Sequence, residues 1–105
     1  DGVSKDSAEA VKWYRKAAVQ GDTDAQTNLG RLYFDGKGVP KDEIEALAWT
    51  NLAADAGVGA SVRNREKMEL FIGKEKALAA RRRSKEILNE IETVKQAANL
   101  AAPKN

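Results

Sequence analysis

The sequence has no cysteine and no histidine. Thiol nucleophiles, Ser-His-Asp relays and the usual cysteine- or histidine-ligated zinc sites are excluded on that ground alone. Aromatic residues make up only 6% of the chain, and two prolines interrupt its 105 residues. No run approaches the roughly 20 apolar residues that a membrane-crossing helix needs. The formal net charge of +2 is unremarkable, but its distribution is uneven. Residues 1–60 carry seven Lys/Arg against ten Asp/Glu, and residues 61–105 carry eleven against six. Alanine is abundant, with eighteen copies. It costs least in a helix and allows helices to approach closely, so this composition favours packed helices in one small domain or a few repeats.

A dodecapeptide occurs twice. GVSKDSAEAVKW at residues 2–13 returns as GVPKDEIEALAW at residues 38–49, an offset of 36. Ten of twenty positions from residue 2 to 21 are identical to those 36 residues on, including Trp13/Trp49, Ala17/Ala53, Ala18/Ala54 and Gly21/Gly57. A period of this length is the signature of stacked supersecondary units.

Each copy contains a helix start. Asp6 precedes Glu9 by three residues, and Asp42 precedes Glu45 likewise, the spacing of a capping box. Behind each cap the apolar positions Ala10, Trp13, Tyr14 and Ala17, or Ala46, Trp49 and Ala53, share one helical face. The recurrence of the tryptophans predicts that both pack between helices. Between the copies, Asp22 or Thr23 can cap a further helix with Ala25, Leu29, Leu32 and Tyr33 on one side. Gly30 in its middle is explained by close approach of the next helix. Asp35-Gly36-Lys37-Gly38 and Pro40 end it.

Ala25, Leu29, Gly30, Tyr33, Gly36, Gly38, Val39, Asp42, Ala46, Trp49, Ala53, Ala54 and Gly57 stand at the spacings of the Sel1-like repeat. The chain resembles that family, a relative of the tetratricopeptide repeat, over residues 2 to about 60. The resemblance implies an all-α fold, an α/α solenoid of helix pairs. It places a partial repeat at 2–21, a full repeat at 22–57 and a degenerate capping helix at 58–72, together an array over 1–72. The pattern is entered in mid-repeat, which leads to the expectation of a piece of a longer array. At the next register Leu29, Gly30 and Tyr33 become Arg65, Glu66 and Glu69, although Val62, Met68, Phe71 and Ile72 can still build a helix. A terminal unit needs a more polar outer face.

From Lys74 to about Ala102 there is no Gly or Pro. Ala77, Ala80, Ser84, Ile87, Ile91, Val94, Ala98 and Ala101 recur three and four apart, a heptad seam of about 25 residues. Residues 73–105 are therefore expected to form one long helix, working as a coiled coil or a fold-back cap. Self-association through Ile87, Ile91 and Val94 would make the chain a dimerisation or assembly module.

No candidate catalytic group emerges. Asp6, Asp22, Asp24 and Asp42 sit at helix starts, where acids complement the macrodipole. Gly36-Lys37-Gly38-Val39 lacks the strand and the Lys-Ser/Thr ending of a phosphate loop. The run Arg81-Arg82-Arg83 splays over three helix directions among Glu75, Glu86, Glu90 and Glu92, and no aromatic stands within it for base stacking. Nucleic acid, metal and cofactor are accordingly not expected, and neither is enzymatic activity.

By the resemblance, the first helix of each pair lines a concave face that meets protein partners. The positions carried over are Asp24, Thr27, Asn28 and Arg31, and, 36 residues after the last two and Thr27, Arg63, Asn64 and Lys67. Arg31, Arg63 and Lys67 would form a basic strip flanked by Asn28 and Asn64, suited to an acidic or carboxylate-terminated peptide. The resemblance implies an adaptor or scaffold of bacterial type, leaning toward the periplasm or secretion, with the cytoplasm equally compatible with the residues.

Overall fold

A computed structural model describes residues 5–101, and these form five helices with no strand among them. The helices are α1 (Lys5–Ala18), α2 (Thr23–Asp35), α3 (Glu43–Asp55), α4 (Gly59–Ile72) and α5 (Lys74–Ala101). Residues 2–4, which open the first copy of the dodecapeptide, lie outside the described residues.

Two of the expected caps form. Asp22 accepts from the Ala25 N–H at 3.0 Å, and Asp42 accepts from the Glu45 N–H at 3.0 Å. The capping box at α3 is only half made, because the Glu45 carboxylate is taken by Arg83 of α5. Asp6 stands within the first turn of α1, whose helical residues begin by Lys5, and so it complements the helix dipole instead of capping.

Helix α3 is the hub, packing on α2, α4 and α5, whereas α1 packs chiefly on α2. Every residue of α3 from Ala46 to Ala54 is buried, and Leu29, Tyr33, Trp49, Ile87 and Ile91 share one apolar cluster. Alanines at 46, 48, 53 and 54 hold the neighbouring backbones close. At Gly30 the approach is tightest. A Cβ there would lie 2.6 Å from Thr50 Oγ1 and 3.0 Å from the Ala46 carbonyl oxygen. The Thr50 hydroxyl is already donating to that same carbonyl, so neither group can move aside independently. Gly30→Ala should therefore be a net loss of about 2 kcal/mol, an overpacking cost near 3 outweighing a gain near 1 in helix propensity. Urea denaturation checks this; a stabilised variant would contradict the contact. Gly38 serves the same end in a loop. Its φ of 80° and a Cβ position only 2.5 Å from the Ser7 carbonyl oxygen let the α2–α3 connection lie against α1.

The long helix α5 folds back on its own chain. Ala80, Ser84, Ile87 and Ile91 are buried, with Ala80 in a second cluster beside Leu47 and Met68. Of the two roles expected for this helix, the fold-back is the one seen: Ile87 and Ile91 of the heptad seam are buried in cis, where α3 offers an apolar face. Val94 is only partly covered, and residues 92–101 are all exposed. The Ser84 hydroxyl, bonded to the Ala80 carbonyl at 2.9 Å and the Ala48 carbonyl at 3.0 Å, lies at the α3–α5 contact.

Charge fixes the register of that contact. Arg83 holds Glu45 through Nε at 2.8 Å and Nη2 at 3.3 Å, and reaches Glu86 and Glu90 on its own helix. These acids, Glu45 first, push the Arg83 pKa above the ordinary guanidinium value. Lys76 donates to Glu43 at 2.6 Å. That bond is the main cause of a Glu43 pKa below the ordinary carboxylate value, and partial desolvation opposes it. A depressed acid pKa means that this tether is complete above the ordinary carboxylate range and fades as pH falls through the lowered value.

Trp13 corrects the expectation that both tryptophans pack between helices. It is 65% exposed, with Lys16 Nζ 5.6 Å from the ring centroid, whereas Trp49 is 1% exposed. The repeat places both on the same helical face. Helix α3 has α2, α4 and α5 packed around it, whereas α1 packs chiefly on α2, so Trp49 becomes core and Trp13 does not.

Candidate interaction groove

Helices α2 and α4 run side by side in the same direction, α3 packing against both. Near their starts Thr27 Oγ1 and Ser61 Oγ share a hydrogen bond at 2.8 Å. Near their ends Phe34 and Phe71 meet edge to face, with ring centroids 5.6 Å apart and planes at 66°. Between these contacts lies a groove of about 320 Å³ lined by Arg31, Phe34, Asp35, Asn64, Lys67, Met68 and Phe71. Lys41 Nζ stands 5.8 and 5.9 Å from the two phenylalanine centroids. Such cation–π contacts at exposed sites are worth about 0.5–1 kcal/mol each. The floor is apolar, with Met68 buried, and Arg31 and Lys67 are exposed. Cations outnumber the single groove acid, Asp35.

Three of the seven residues expected to meet a partner, Arg31, Asn64 and Lys67, come together in this groove. Asn28 lines a smaller hollow on the other side of Arg31, with Tyr14, Leu32 and Lys37. Thr27 is committed to structure: its hydroxyl bonds to the Thr23 carbonyl at 2.9 Å as well as to Ser61. Asp24 is exposed in the first turn of α2, and Arg63 is exposed near the start of α4 without lining the groove. The strip is thus Arg31 and Lys67, without Arg63.

Sequence reasoning did not foresee the aromatic wall. Phe34 lies one position past the Leu29/Tyr33 stripe, and Phe71, read from the sequence only as one of the residues that build a helix, is 69% exposed. The two are not equivalent across the 36-residue period, so the repeat gave no signal for their pairing. Among the described residues no group of acids could hold a metal ion, and no helix is long and apolar enough to cross a membrane.

The architecture is that of an α/α repeat protein. Helices α2 and α3 form one complete unit, and α1 supplies the second helix of the unit before. The Sel1 repeat model matches residues 1–22 and 23–58, more than half of the sequence, and the chain belongs to the Sel1 repeat family. Over 98% of its length the chain superposes on the crystal structure of a protective antigen present in uropathogenic Escherichia coli strains displaying an SLR fold. The TM-score is 0.77 at 30% identity, and the match covers 23% of that protein. Over 50 residues, 48% of the chain, it is 42% identical to an exopolysaccharide production negative regulator of Rhizobium leguminosarum bv. viciae. It spans 19% of that regulator's length. Sel1 repeats generally mediate protein–protein interaction and are typically non-catalytic scaffolds.

Proposed function

We propose that this chain is a non-catalytic interaction module whose working surface is the α2–α4 groove, taking an acidic or carboxylate-terminated peptide. The observation that carries the reading is the assembly of Arg31, Asn64 and Lys67 around an apolar floor of Phe34, Met68 and Phe71. A carboxylate set between Arg31 and Lys67 gains charge-assisted hydrogen bonds, and the Asn64 amide adds a neutral donor. The adjoining aromatic wall suits an apolar side chain next to that carboxylate, so the groove selects an acid beside an apolar residue. Salt should weaken the complex, because both cations stand in solvent.

The test is selection from a random peptide library with free C-termini, using the wild type beside Arg31→Glu/Lys67→Glu. The wild type should enrich acidic peptides carrying an adjacent apolar residue. The double variant should lose them by tenfold or more in affinity, about 1.4 kcal/mol, with its far-UV circular dichroism unchanged. Equal enrichment by both proteins would remove the groove from consideration.

A further inference from the structure

A second hollow, of about 270 Å³, opens between α3 and α5 and shares no lining residue with the α2–α4 groove. Its walls include Leu52 and Leu88, and Arg81 and Lys85 stand on α5 one turn apart, on the same helix face. Arg65 and the one lining acid, Asp55, also reach it, and they are paired with each other at 2.8 Å. Arg81 and Lys85 have no ion-pair partner among the described residues, in contrast to Arg83 beside them. The hollow therefore keeps two uncommitted positive charges.

Asn51 lines the same hollow and is 6% exposed. Its carboxamide has two N–H donors and an acceptor oxygen. Among the described residues its only hydrogen bond runs from Nδ2 to Ser84 Oγ, at a long 3.4 Å. Ser84 cannot return a donor, since its single proton serves the Ala80 or Ala48 carbonyl. A buried amide with unused capacity is uncommon, because buried polar groups almost always find partners. Here it faces a recess whose rim is cationic and whose walls are apolar.

We infer that this hollow is a second binding site, built to take the glutamate side chain of a partner protein. The carboxylate would accept from the free Asn51 N–H, Arg81 and Lys85, and the methylenes of the side chain would pass between Leu52 and Leu88. Inorganic sulfate or phosphate matches the cations but gains nothing from the two leucines. The volume lies just under the range of cofactor and drug-sized pockets, about 300–1,000 Å³, and suits a single side chain. A partner lying across α3 and α5 would touch a face of the protein separate from the α2–α4 groove, so the site stands whether or not that groove binds peptide.

The test is a titration of the isotope-labelled protein with acetyl-triglutamate amide at fixed ionic strength, followed by NMR. The side-chain amide pair of Asn51 should shift saturably, together with the backbone amides of Ser84 and Lys85. Arg81→Gln/Lys85→Gln, both at exposed positions, should weaken the Asn51 response by about tenfold without loss of helix content. Arg31→Glu/Lys67→Glu should leave it unchanged. An unmoved Asn51 amide overturns the inference. So does an equal response to sodium sulfate, which would mark a general anion site, or loss of the response in the Arg31/Lys67 variant.

Discussion

Replacing Trp49 by alanine is expected to cost about 3–5 kcal/mol of stability, and the same replacement at Trp13 within about 0.5. The two residues occupy equivalent positions of the same dodecapeptide, so residue type, backbone and helix propensity are matched between them. What differs is cover. Trp49 lies in the cluster that joins α1, α2, α3 and α5, whereas Trp13 has most of its surface in water and a single lysine over the ring. Removing the buried indole leaves a cavity among residues that are themselves held by tight helix contacts, so the site cannot collapse cheaply. In a domain of this size such a loss lowers the melting temperature by about 12 °C or more. The Trp49 Nε1–H is buried without a hydrogen-bond partner among the described residues. Trp49→Phe should therefore cost less than its lost volume suggests, since it removes an unmet donor along with the ring. Thermal denaturation of the three variants checks the whole set. Equal losses at positions 13 and 49 would mean that Trp13 is covered in solution.

Ile87→Ala should destabilise the protein by about 2–5 kcal/mol, and the wild-type melting temperature should not depend on protein concentration. Ile87 is fully buried against the repeat helices of its own chain. If the heptad seam paired between chains, mass action would raise the melting temperature as concentration rises, and Ile87→Ala would dissociate a dimer. A concentration-dependent transition in the wild type would thus overturn the fold-back of α5. Arg83→Ala should act in the same direction more weakly, because the Glu45 pair is partly exposed and solvent screens it.

Much of the fold was legible because a repeat states its own pattern twice. The caps at Asp22 and Asp42, the break at Gly36–Pro40 and the tight approach at Gly30 all follow from local spacing, and the structure contains each of them. The groove was half legible. Arg31 and Lys67 are one period apart, and a stacked repeat places such residues on adjacent parallel helices. Phe34, Phe71 and Lys41 were not legible as a group, since their meeting depends on how α4 leans on α2 and on where the α2–α3 loop lies.

Arg83 illustrates the same divide within three residues. In the sequence it is one of three successive arginines, with Glu86 and Glu90 as the visible neighbours. Its strongest partner, Glu45, is 38 positions away. Nothing in a heptad pattern reveals that partner, and nothing in the arginine run separates Arg83, which is tied down, from Arg81 and Lys85, which are not.

By itself the sequence determined the helices, the period that stacks them, the caps at Asp22 and Asp42 and, from the missing cysteine and histidine, the thiol and imidazole chemistry the chain lacks. These depend on interactions within a few residues, or on composition, and a linear reading captures them. The tertiary structure alone decided which of two equivalent tryptophans is core, that the heptad seam folds back on its own chain, and which cations have no ion-pair partner among the described residues. Each of those depends on what covers a face, and cover comes from residues distant in the chain whose arrangement no local pattern encodes.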